Sequence, residues 1–88
     1  MADEFTYDEL FAFLREIGFL DSSSSDFERV FEHPGSGIIL AFAMLGDPST
    51  DRPVRSADVL SAEFHLQQRG LLVGRIQDAI PIAREANG

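Results

Sequence analysis

The stretch that decides the fold is FERVFEHPGSGIILAFAML, residues Phe27–Leu45. It reads as two strands joined by a tight turn. Pro34 fixes φ at one central turn position and Gly35 accepts positive φ at the next, which is the pattern of a type II turn. The first strand is expected over residues 26–32, with Phe27 and Phe31 on one face and Arg29 between them. The second is expected over residues 38–45. Its run from Ile38 to Leu45 is apolar on both faces, which predicts the central strand of a sheet.

Upstream, Thr6-Tyr7-Asp8-Glu9 is a capping box, in which Thr6 and Glu9 satisfy each other's free backbone N–H groups. Phe5 and Leu10 occupy the two positions of a hydrophobic staple. Leu10, Phe13, Leu14 and Ile17 form an apolar stripe that Phe11 widens. A helix follows over residues 7–17. Gly18 is placed to end it in the left-handed conformation, with Phe19 folding back on Leu14. Residues 21–25, Asp-Ser-Ser-Ser-Ser, read as a mobile polar loop. Phosphorylation there is conceivable; a plain loop is the simpler reading.

Downstream, residues 46–51 form a loop. Arg52–Arg55 can add a short third strand, confined to a sheet edge because Pro53 has no N–H to donate. Residues 56–69 support two readings. Leu60, Ala62, Phe64 and Leu66 alternate with polar residues as in a strand. Ser56 and Asp58 mark a helix start, and Gly70 a helix stop that lets Leu71 reach Leu66. Helix is the reading taken. Leu72, Ile76, Ile80 and Ala83 predict a last short helix over residues 75–85, bent near Ile80 by Pro81.

A chain of 88 residues is one domain of limited stability. Eight Phe and no Trp point to a Phe-rich core. The chain has no cysteine, which excludes disulfides and thiol chemistry. No apolar run approaches the ~20 residues of a membrane span, and no leader pattern is visible, so a cytoplasmic protein is expected. The net charge of −8 is uneven. Residues 1–33 hold nine carboxylates against Arg15 and Arg29, a net of −7, and the remainder sums to −1. There is no lysine. Phosphate neutralisation by basic side chains supplies most nonspecific nucleic-acid affinity. The usual electrostatic footprint of a nucleic-acid binder is missing.

The order helix, hairpin, helix, with Leu14-Arg15-Glu16-Ile17-Gly18-Phe19, Val30-Phe31-Glu32-His33-Pro34 and Leu66-Gln67-Gln68-Arg69-Gly70-Leu71, resembles the HicA/YcfA-like family of small bacterial proteins. The resemblance implies an α+β fold similar to double-stranded-RNA-binding domains, α-β-β-(β)-α with a short C-terminal helix. It divides the chain into a tail (residues 1–5), a HicA-like core (6–72) and a helical extension (73–88). Toxin members of that family cleave mRNA and are held inactive by a HicB-type antitoxin. Their active His stands three residues before an aromatic at the start of the first strand, after Gly and Ser or Thr. With Phe31 as that aromatic, the matching position is Glu28, and Asp26-Phe27 replaces the lead-in.

The expectation is therefore a degenerate member: a noncatalytic module that binds a protein partner or itself, and not nucleic acid. The alternative is a divergent mRNA interferase with Glu28 or His33 as base. A His before Pro-Gly is more often a turn residue. Arg52, Arg55, Arg69 and Arg75 are the one concentration of positive charge and the candidate binding residues, with ordinary surface salt bridges as the simpler reading. His33 and His65 have no metal-ligand spacing, and neither metal nor cofactor is expected.

Overall fold

Thr6 opens the first helix as the sequence predicts. In the computed structural model, which describes residues 5–80, α1 runs Tyr7–Glu16. The Thr6 hydroxyl accepts the Glu9 N–H at 3.2 Å, and the Glu9 carboxylate accepts the Thr6 N–H at 2.9 Å. At the other end Gly18 (φ +107) lets its own N–H reach Arg15 O and the Phe19 N–H reach Leu14 O. These two bonds make a Schellman motif. A side chain at position 18 would be strained at that φ and would press on His33: a Cβ there would lie 3.1 Å from its Nε2. The helix buries Tyr7, Leu10, Phe11, Phe13 and Leu14.

The sheet is antiparallel, in the order β1 (Leu20–Asp21), β2 (Glu28–His33), β3 (Ile38–Ala43). The fold is thus α+β with three strands, but the third strand is not where the sequence reading puts it. The extra strand precedes the hairpin, and its second residue, Asp21, is the first of what reads as a polar loop. Two residues are too few to show alternation, so only pairing with β2 defines β1. The loop is also stitched down. Ser22 N–H reaches Val30 O, and the Ser23 hydroxyl takes the Val30 N–H at 2.8 Å. Arg52–Arg55 forms no strand of the sheet; Pro53 makes an isolated bridge to Thr6, and Val54 N–H bonds Phe5 O. Phe5, placed in the tail by the sequence reading, is buried.

The hairpin differs from expectation in two further ways. Gly35 is not left-handed; Gly37 is, at φ +79, and His33 O accepts the N–H groups of both Ser36 and Gly37. The loop is one residue pair longer than a type II turn, so the positive φ moves to its last residue. β3 is an edge strand and β2 the central one. Ile38, Leu40, Phe42 and Met44 are buried, whereas Ile39, Ala41 and Ala43 lie on an outer face that is exposed.

Residues 56–69 resolve as helix: α2 is Ser56–Gln68. Ala62 and Leu66 reach the core, and Gly70 (φ +73) closes the C-terminus with Leu71 N–H on Leu66 O. Residues 76–80 are helical and bury Ile76 and Ile80; the expected bend at Pro81 lies outside the described residues. The core is rich in phenylalanine as predicted. Phe11 sits between Phe31 at 4.8 Å and Phe42 at 5.5 Å, with Phe5, Phe13 and Phe19 also buried.

Candidate functional site

Strand geometry separates the two candidate bases. Side chains alternate along a strand, so residues five apart point to opposite faces. Glu28 opens β2 opposite Ala43 on the outer face, and is exposed. His33 closes β2 on the core side, half-buried against Phe19 with ring centroids 5.0 Å apart. Its Nδ1 accepts the Ser36 N–H at 3.1 Å and lies 2.9 Å from Ser36 Oγ. A neutral ring accepting at Nδ1 carries its proton on Nε2. His33 is bound into the hairpin loop, and the structure does not bring it together with Glu28.

The four candidate arginines are distributed, each on its own chain's acceptors. Arg52 lies over the Tyr7 ring at 5.0 Å and donates to the carbonyls of Met44, Asp47 and Ser49. Arg55 donates to the Asp58 carboxylate at 3.0 Å and to Ala43 O. Arg69 donates to Ser36 O at 2.9 Å, and Arg75 pairs with Glu63 at 3.4 Å. Arg55 and Arg69 are the N-cap and C-cap residues of α2. They tie that helix to carbonyls at the two ends of β3, roughly 20 Å apart at a strand's rise per residue. The Asp58 carboxylate holds the Arg55 guanidinium above its ordinary pKa. Burial first, and then the hydrogen bond given to Asp58 at 2.6 Å, pushes the Tyr7 phenol up.

A second polar cluster escaped the sequence reading. Arg29 points to the core side of β2, where its guanidinium lies 5.1 Å from the centre of the Phe11 ring. It donates to Asp21 at 2.6 Å and to the Ser23 hydroxyl at 3.2 Å. Arg15 approaches the same Asp21 carboxylate at 3.7 Å. Hydrogen bonds from Ser23, followed by the Arg29 contact, lower Asp21 to about 2. Asp21, Ser23 and Arg29 line an open polar recess together with Ser24, Ser25 and Asp26. The signal was available: a charged residue in the apolar row of a strand needs a partner, and Asp21 is the acid that β1 places across from Phe31.

Large apolar side chains remain on the surface. On the sheet's outer face and at its rims they are Leu20, Phe27, Ile39 and Leu45; on α2 they are Leu60 and Phe64, 62% and 58% exposed. Leu60 borders an open recess of about 420 Å³ that Phe5, Val54, Val59 and Arg75 also line. Leu60 and Phe64 are four residues apart and share a helix face. That face is why the segment looks like a strand: it is apolar on two sides, and the spacing of 60, 62, 64 and 66 mixes an exposed stripe with a buried one.

Among the described residues no group of three or more His, Asp or Glu could hold a metal ion, and no helix is long and apolar enough to cross a membrane. Comparison with protein-family models, curated proteins and solved structures returns no match.

Proposed function

We propose that this chain is a noncatalytic protein-interaction module on a HicA-like scaffold. One observation carries the reading: every arginine among the described residues is already engaged within the chain. Arg15 and Arg29 meet Asp21; Arg52 and Arg55 meet backbone carbonyls and the carboxylates of Asp47 and Asp58; Arg69 meets Ser36 O; Arg75 meets Glu63. A phosphate-binding surface needs cations with spare donors aimed outward. Here a polyanion would compete with acceptors that the chain already supplies, and against a net charge of −8. Exposed apolar side chains on the sheet and on α2 supply the kind of area that protein contacts use.

The test is titration of single-stranded and duplex RNA at low ionic strength, followed by anisotropy, with growth of a host expressing the chain measured alongside. No saturable binding and no growth arrest are expected. Affinity that falls steeply with added salt would overturn the reading.

A further inference from the structure

The two faces of the sheet are finished differently. Both helices pack on one side, where Phe11 of α1 meets Phe31 and Phe42, and Ala62 and Leu66 of α2 join the same core. In an antiparallel sheet with one solvated face, the outward positions are polar. The outward row of β3 breaks that pattern. It consists of Ile39, Ala41 and Ala43, all exposed, and Ile39 at 61%. Beside it on β2 stands Val30, and on β1 Leu20, exposed to the same extent as Ile39.

Charge on this outer face has one sign. Glu28 and Glu32 are the charged residues at the outward positions of the strands, and both are exposed. They stand on either side of Val30, roughly 13 Å apart at a strand's rise per residue. Arg29, between them in sequence, turns to the core side, where it holds Asp21. The arginines at the two ends of the β3 edge, Arg55 and Arg69, are turned onto the carbonyls of Ala43 and Ser36. Resting on the interaction-module reading, we infer that this face docks a cationic amphipathic helix of another protein. Its apolar stripe lies on Val30, Ile39 and Ala41, and its lysines or arginines meet Glu28 and Glu32.

The sign of the charge selects the occupant. A nucleic acid or an anionic lipid surface would meet the two carboxylates with like charge. A second copy of this chain would bring the same two carboxylates, and its arginines already have acceptors of their own. A helix suits the shape. The floor of the face is low at Ala41 and Ala43, while Leu20 and Ile39 flank Glu32 at one end. Cations two turns apart on a helix are roughly 11 Å apart, close to the spacing of the carboxylates. Exposed ion pairs contribute little each, so apolar contact supplies the larger share of the affinity and the carboxylates fix the partner's sign.

The experiment is an NMR titration of the isotope-labelled full chain with a synthetic helical peptide of leucine and lysine, about 20 residues long. It is run at about 0.15 M salt, where exposed charges more than ~8 Å apart are screened. Amide shifts should move saturably at Leu20, Val30, Glu32, Ile39 and Ala41. Glu28→Lys combined with Glu32→Lys should weaken binding about tenfold. Asp51→Lys combined with Asp78→Lys makes the same change in charge at exposed residues outside the sheet, and should weaken it no more than about twofold. Ile39→Ser should weaken it several-fold with the charge unchanged. The amide spectrum itself shows that each variant is folded. Equal losses from the two lysine pairs would reduce the effect to net charge and overturn the inference. Shifts confined to another surface, or no shifts, would overturn it too. Salt-sensitive shifts on adding single-stranded RNA to the same chain would instead overturn the interaction-module reading, so the two failures are told apart.

Discussion

The two helices close their C-terminal ends with the same device and open their N-terminal ends with different ones. Gly18 and Gly70 each end a helix in a Schellman turn, with Phe19 returning to Leu14 and Leu71 to Leu66. At the N-terminus, α1 is capped by residues three apart in sequence, Thr6 and Glu9. The α2 N-cap is Arg55, which makes no side-chain capping bond. It reaches instead to Asp58 in the first turn and to Ala43 at the end of β3. One helix start is written locally; the other depends on the rest of the fold being in place. The core is divided in the same way. Five side chains of α1 are buried, against Ala62 and Leu66 of α2.

The largest expected effect tests that imbalance. Phe11→Ala removes a ring packed between Phe31 and Phe42, and should cost about 3–5 kcal/mol in urea unfolding. Phe64→Ala on the exposed face of α2 should stay within about 0.5 kcal/mol. Comparable losses at the two sites would break the contrast.

A smaller effect probes the joint between the helices. Tyr7 on α1 gives its hydroxyl proton to Asp58 and accepts the Arg55 N–H. Tyr7→Phe should cost about 1 kcal/mol, because the half-buried Asp58 carboxylate and Arg55 N–H lose a bond. The raised phenol pKa means that the folded state favours the neutral ring. Its contribution is full below the ordinary tyrosine value of about 10 and is lost as pH rises through the higher folded value. The chain has one Tyr and no Trp, so phenolate absorbance reports this group alone. Wild-type stability should decline at alkaline pH, and the phenylalanine variant should lack that part of the decline.

The smallest effect sharpens the comparison of helix starts. Thr6→Ala should cost about 1 kcal/mol by loss of the cap. Ser56→Ala, at a residue that resembles a cap in sequence but lies one position inside α2, should change stability by less than about 0.5 kcal/mol. An equal loss at Ser56 would mean that α2 is locally capped after all.

What was legible follows the same division. The capping box and both glycine stops act within a few residues, so they could be read directly. The hairpin was legible as two strands, because its apolar runs and turn residues are adjacent. Its details were not. Whether Gly35 or Gly37 takes the positive φ depends on how Ile38 registers against His33. The apolar run of β3 suggests a central strand, yet Ile39 is 61% exposed at an edge. β1 exists only through its pairing to β2. The candidate site suffered most from this. Charge clustering in sequence grouped Arg52, Arg55, Arg69 and Arg75, whereas three-dimensional proximity assigns each to a different acceptor. Arg29, which sequence placed between two phenylalanines, is the one whose environment is most unusual.

The contact between Gly18 and His33 has a bearing on descent. The bare Cα at position 18 and the imidazole at position 33 occupy one shared space, at the junction of helix stop and hairpin. A methyl group at the first position would press on the ring at the second, which would have to give by a few tenths of an ångström, on a backbone conformation that side chains rarely adopt. Homologous chains should therefore keep glycine at position 18 even where position 33 changes, because the left-handed backbone alone restricts it.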